Sequence, residues 1–165
     1  MGEQWVEIAS FPGYSVSDAG QVRNDETGHI MTRCANQGGV VHVGLTRNKT
    51  QYKRSLTLLV AEAFLPRPSF AFDTPINLDG DRWNNSVENL MWRPRWFAVK
   101  YFQQFKFGSV GSIARPIEII ETEEQFANSF EATKFLGVLD REVAMSVMTQ
   151  NYVWPIYQRF RLVRM

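Results

Sequence analysis

The chain has 165 residues, 44% of them hydrophobic and 13% aromatic, with a formal net charge of +1. That length suits one compact domain or two small modules with a proper core, and no apolar stretch reaches the length of a membrane span. The single cysteine, Cys34, excludes an intrachain disulfide and the usual cysteine-rich zinc sites, while the near-neutral charge argues against a binder driven by overall electrostatics.

The opening Met-Gly-Glu-Gln-Trp-Val-Glu has neither a basic segment nor an apolar run, so no secretory signal is expected and an intracellular, cytoplasmic setting is. From Trp5 to Val22 the apolar markers Trp5, Ile8, Tyr14, Val16 and Val22 are separated by the turn residues Pro12-Gly13 and Asp18-Ala19-Gly20. This predicts short strands in a small antiparallel sheet, with Trp5 and Tyr14 facing inward. The sheet continues through residues 27–31 and 39–45, where Val41, Val43 and Leu45 alternate with His42 and Gly44. The two histidines, His29 in a turn and His42 on the solvent face, show no spacing that would make a metal pair. A polar hairpin loop over residues 46–54 then carries Arg47, Lys49, Lys53 and Arg54.

Leu56 to Phe64 has the period of an amphipathic helix, ended by Leu65-Pro66. In Ile76 to Trp92 an apolar edge leads into Asp79-Gly80, a polar Asn84-Asn85 corner follows, and Val87, Leu90 and Met91 recur at helical spacing. The prediction is two short strands and then a helix within this segment. After it, Arg93, Arg95, Lys100 and Lys106 interleave with Trp96, Phe97, Tyr101, Phe102, Phe105 and Phe107. That is more aromatic surface than a small domain needs for its own core, and it suits either phosphate contacts with stacking or a protein partner. Residues 115–120 read as a strand, Phe126 to Leu136 as a helix stopped by Gly137, Asp140 to Met148 as a second helix, and residues 152–163 as a closing strand.

Charge is unevenly spread along these elements. Residues 1–40 carry Arg23 and Arg33 against Glu3, Glu7, Asp18, Asp25 and Glu26, whereas residues 41–115 carry eleven Arg or Lys against five acids. The expectation is one basic face formed by Arg47, Lys49, Lys53, Arg54, Arg93, Arg95 and Lys100, with Lys106 beyond it, able to hold duplex DNA.

Trp5, Ile8, Tyr14, Val16, Ser17, Gly20 and Val22 closely resemble the nuclease-associated modular domain that precedes HNH cores. Asp79-Gly80, Asn84-Asn85 and Asn89-Leu90-Met91-Trp92 resemble the ββα core of phage and intron-borne HNH homing endonucleases. Ser129, Ala132, Leu136 and Gly137 resemble the C-terminal helix-turn-helix repeat of the same enzymes. The resemblance implies an α+β chain: a modular sheet domain over 1–55, an HNH-like core over 56–98, a basic aromatic linker over 99–114 and a helix-turn-helix-like module over 115–165. It implies double-stranded DNA as partner, and host-cell cytoplasm as location if the chain is phage-encoded.

An active member of that family needs an imidazole base and a divalent metal. At the matching positions this chain has Asn77 for an acidic ligand, Leu78 for the histidine and Ala98 for the closing ligand, and it retains only Asn89. On the helix over 56–64, Thr57 and Leu58 replace a histidine and a basic residue. The resulting expectation is a degenerate site with no cofactor, on a chain that binds DNA without cutting it, with Asn89 locking the loop from Asp79 to Asn85. Two alternatives stand beside it. One is a protein or nucleoprotein partner held through the aromatic linker. The other is a nickase with a displaced metal site on Asp79 and Asp81.

Overall fold

Three strands, β1 (Trp5–Glu7), β2 (Tyr14–Ser17) and β3 (Val22–Asn24), pair antiparallel in that order, turned by loops in which Gly13 and Gly20 hold positive φ. The computed structural model to which they belong describes residues 2–107 and 111–164. It is α+β, with small antiparallel sheets and four α-helices among the described residues, and the chain divides into two compact units, Met1–Arg95 and Trp96–Met165. The first unit thus takes in the expected sheet domain and the expected HNH-like core as far as Arg95, with residues 96–98 falling in the second.

In the first unit Tyr14, Val16 and Val22 are buried as the alternation predicts, but Trp5 is only half-buried. It lies on the edge strand, where the Arg23 guanidinium covers its ring at 4.1 Å instead of a core neighbour. A second sheet is built from β4 (Cys34–Ala35), β5 (Val41–Arg47) and β6 (Thr50–Ser55). The connection from β5 to β6 is the two-residue turn Asn48-Lys49, with φ of 53° and 64°, the left-handed pair that a tight hairpin requires.

Helix α1 (Leu56–Phe64) starts where Ser55 accepts a hydrogen bond from the Leu58 N–H at 3.3 Å, and it stops at Leu65 before Pro66. Its buried residues Leu56, Leu59 and Val60 join Phe11, Val16 and Val22 from the first sheet, Val41, Val43 and Leu45 from the second, and Leu90. Both sheets and the helix therefore close over one core.

The last part of this unit is the ribbon of β7 (Thr74–Asn77) and β8 (Leu90–Arg93), with Asn77 opposite Leu90 and Ile76 opposite Met91. The helix expected over Val87 to Met91 is not there. Val87–Asn89 make a single 3-10 turn, and Leu90 and Trp92 are buried while Met91 is half-buried, the two-residue period of a strand. Asp79-Gly80 accordingly lies inside a loop over 78–89 rather than at a tight hairpin tip. The helix that follows the ribbon in the chain is α2 (Arg95–Phe107).

In the second unit α2 takes up most of the aromatic stretch. Phe97, Tyr101 and Phe105 recur every fourth residue, so their rings follow one another along one side of the helix, and Phe105 meets Phe130 at 5.3 Å. Phe97 and Tyr101 are buried, and only Trp96 and Phe107 of this run are strongly exposed. The apparent surplus of aromatics is thus largely core; residues 108–110 of the expected linker lie outside the described residues. The unit continues with β9 (Ile117–Ile119), β10 (Gln125–Phe126), α3 (Ser129–Leu136), α4 (Asp140–Thr149) and β11 (Phe160–Leu162), the strands ordered β10-β9-β11. Asn128 caps α3 through the Glu131 N–H at 2.8 Å, and Gly137 ends it in the left-handed conformation. The closing strand is shorter than expected, covering three residues. Ile117, Ile119, Ala132, Val138, Val143, Val153 and Phe160 form this unit's core. No helix among the described residues is long and apolar enough to cross a membrane.

Candidate functional site

The loop over 78–89 is drawn into shape by asparagine and aspartate side chains that bond to one another and to the backbone. Asn77, buried at the end of β7, donates through Nδ2 to the carbonyl of Asn84 at 2.9 Å and to Oδ1 of Asn85 at 3.0 Å. Asn89 donates to Oδ1 of Asp79 and to the carbonyl of Asn84, both at 2.9 Å, and its own Oδ1 accepts the Asp79 N–H. Asp79 takes two further donors, the Asp81 N–H at 2.9 Å and Nδ2 of Asn84 at 2.8 Å. Its carboxyl stands at the exposed rim. Desolvation there pushes its pKa up, but the bonds from Asn84, Asn89 and the backbone outweigh that and hold it below the usual carboxylate range.

Asn85 joins this loop to the rest of its unit. It is buried, its Nδ2 donates to the carbonyl of Arg82, and its Oδ1 accepts from the Thr57 hydroxyl of α1. The β2–β3 turn presses against the same residue: a Cβ on Gly20 would lie 2.8 Å from the Asn85 carbonyl oxygen, and Val87 N–H donates to the carbonyl of Asp18. From the other side Arg33 reaches the carbonyl of Trp83, and Arg82 that of Gly38. Sequence reasoning marked Thr57 only as a replaced position and missed its bond to Asn85 and the seat of Gly20 against that same asparagine. The signal available was Gly20 itself, a turn glycine in a segment rich in other markers.

Of the four positions compared with nuclease residues, Asn77, Leu78 and Asn89 stand together at the neck of this loop, where the Leu78 N–H donates to the Asn89 carbonyl at 2.8 Å. Ala98 is buried on α2, in the second unit. Among the described residues no cluster of three His, Cys, Asp or Glu side chains is arranged to hold a metal ion.

The basic residues do not form a single face. On the β5–β6 hairpin Arg47 and Arg54 lie over the rings of Phe11 and Tyr52 at about 5 Å. Lys53, adjacent to Arg54 on one strand, points to the opposite side, as strand geometry demands. Lys49 is exposed at the hairpin tip. Arg93 is buried in β8 and donates to the carbonyl of Trp92, whereas Arg95 is exposed at the start of α2. In the second unit Lys100 lies over Trp96 and Lys106 over Phe107.

Residues 3–46 match the NUMOD4 motif family. Among curated proteins the chain is similar to an uncharacterized HNH endonuclease of Acanthamoeba polyphaga mimivirus, 30% identical over 92 residues. The match covers 56% of this chain but only 27% of that relative, so the chain spans about a quarter of its length. Among solved structures it resembles the one described as DNA binding and cleavage by the HNH homing endonuclease I-HmuI. That likeness has a TM-score of 0.55 at 20% identity over 98% of this chain and 99% of the other, and at that identity it is one of fold. In its amino-terminal motif, its endonuclease relative and its fold, the chain is similar to HNH homing endonucleases.

Proposed function

We propose that this protein binds double-stranded DNA through its central basic residues and does not hydrolyse it. The observation that carries the reading is the state of Asp79. Its carboxylate accepts three N–H donors from the loop, and the neighbouring positions Asn77 and Leu78 supply neither a second charge nor a base. A divalent ion would have to displace those donors, and Leu78 has no atom able to take a proton from water, so the residues present do not fit the metal and base of a working HNH site. The DNA-binding half rests on the likeness to a protein described as binding and cleaving DNA, and on the exposed cations of the β5–β6 hairpin and the start of α2. The contacts on this reading are Arg47, Lys49 and Arg54 of the hairpin and Arg95, Lys100 and Lys106 of α2; Lys53 turns to the other side of its strand, and Arg93, being buried, serves as a structural residue.

The test is a gel shift with a random duplex pool, with and without magnesium, scored for retention and for nicking of a supercoiled plasmid. The expected outcome is retention that weakens steeply with salt and no magnesium-dependent nicking. Nicking that is lost in Asp79→Ala and Asp81→Ala would assign the chain a displaced catalytic site instead. Salt-tolerant behaviour with no shift of any duplex would favour a protein partner.

A further inference from the structure

Away from the loop, the first unit gathers groups that the sequence keeps far apart. The side of the β4–β5–β6 sheet turned away from the core holds a cavity of about 330 Å³, whose lining includes His29, Cys34, His42, Gly44, Gln51 and Lys53. Strand register accounts for this. Cys34 pairs with His42 and Gly44 with Lys53, so these residues leave the sheet on one face, opposite the buried Val41, Val43 and Leu45. His29 joins from the segment after β3, which a bridge between Arg23 and Ile30 lays beside that strand. Gly44 shapes the hollow: a Cβ there would lie 2.6 Å from Nε2 of Gln51, so the Gln51 carboxamide occupies space that only glycine leaves open.

The chemistry of the lining is one-sided. Its polar groups are the Lys53 ammonium, two imidazoles, the Thr32 hydroxyl and a carboxamide, with no carboxylate, and Met31 adds an apolar wall. Donors of this kind around one hollow, without a competing acid, suit an anion with several oxygens, and the apolar wall suits the sugar or base attached to it. The volume is at the small end of the range for small-molecule sites and exceeds what a bare anion fills, which leaves room for a sugar and base beside the charged group. We propose that this hollow binds the phosphate group of a single nucleotide unit, whether in a free nucleoside monophosphate or in a DNA strand. The proposal goes beyond duplex binding, because it assigns a discrete, saturable site with its own ligand.

Cys34 provides the readout, since it is exposed, lines the cavity and is the chain's one thiol. The full chain is alkylated with iodoacetamide, and the rate is followed by intact mass at constant ionic strength in chloride, thymidine, thymidine monophosphate or a short thymidine oligonucleotide. Phosphate-bearing ligands should slow alkylation along a saturable curve, on the order of tenfold at ten times the half-saturating concentration if occupancy alone shields the thiol. Thymidine and chloride should leave the rate unchanged. Lys53→Ala and His42→Gln should abolish the protection while keeping the wild-type far-UV circular dichroism and unprotected rate. Protection by the mononucleotide identifies a free nucleotide as sufficient, and protection by the oligonucleotide alone assigns the phosphate to a strand; either supports the site. Equal rates in all four solutions, protection by thymidine, or full protection of Lys53→Ala would overturn it. A duplex gel shift run in parallel separates this site from duplex binding, because loss of either leaves the other measurable.

Discussion

The hydroxyl of Thr57 donates to Oδ1 of Asn85 at 2.6 Å, fastening helix α1 to the centre of the loop over 78–89. The same Oδ1 accepts from Asn77 Nδ2, so two elements converge on one buried atom. Thr57→Val keeps the shape of the side chain and deletes the donor. It should cost about 1 kcal/mol, whereas Asn85→Ala strands the Asn77 amide and the Thr57 hydroxyl and should cost about 2–3 kcal/mol. Urea unfolding of the two variants beside the wild type checks the order, and equal costs would mean that Asn85 is not the shared acceptor.

Gly20 combines a φ of 82° with a missing side chain that would otherwise strike the Asn85 carbonyl. Gly20→Ala should therefore destabilise the first unit by about 2 kcal/mol or more, the backbone penalty and the clash acting together. An unchanged urea midpoint would show that the turn can move away from the loop.

Lys49 sits at φ 64° in a hairpin turn where glycine is the preferred residue. Lys49→Gly should raise stability by roughly 0.5–1 kcal/mol, since the left-handed conformation is costly for a residue with a Cβ. If the hairpin tip touches a phosphate, the same change should also weaken duplex binding and lower the salt slope by about 0.9. Thermal unfolding and salt-dependent gel shifts read the two effects separately.

Asp79 links the loop to pH. Its folded-state pKa is depressed, so its contribution to stability is fully present above the unfolded value near pH 4 and is lost as pH falls through the folded value. The stability gap between wild type and Asp79→Asn should accordingly shrink as pH is lowered from neutrality to about 3. A gap constant across that range would show that the carboxylate is bonded no better in the folded loop than in the unfolded chain.

Leu78→His alone should not produce nicking. The imidazole would enter a loop whose one well-placed carboxylate is already held by three donors, and Ala98, at the position compared with the closing ligand, carries only a methyl group. Plasmid relaxation with magnesium or manganese is the measurement, and any metal-dependent product from this single variant would contradict the proposed reading of the site.

Much of the fold was legible in the residues. Helix α1 has the right period, a serine cap and a proline stop, and β5 alternates cleanly because one of its faces is core. The helix expected over Val87 to Met91 failed for a specific reason: a spacing of three from Val87 to Leu90 is also made by a 3-10 turn entering a strand, and only the pairing with β7 decides between them. The basic face failed because Lys53 and Arg54 are neighbours on one strand. Neither the convergence on Asn85 nor the placing of His29 and His42 around one cavity could be read from order along the chain, since both depend on which strands lie beside which.

Because Leu56, Leu59, Val60 and Leu90 share a core with residues of the matched motif, the stretch over 3–46 is a unit of sequence but not of folding. Its strand β5 needs β6 to complete the hairpin, and its β2–β3 turn needs Asn85 to rest upon. An excised copy would present water with the very surface that Val41, Val43 and Leu45 now hide. The loop that resembles a nuclease site thus acts as a keystone, and changing it for chemistry would first be felt as a loss of cooperativity across the whole amino-terminal unit.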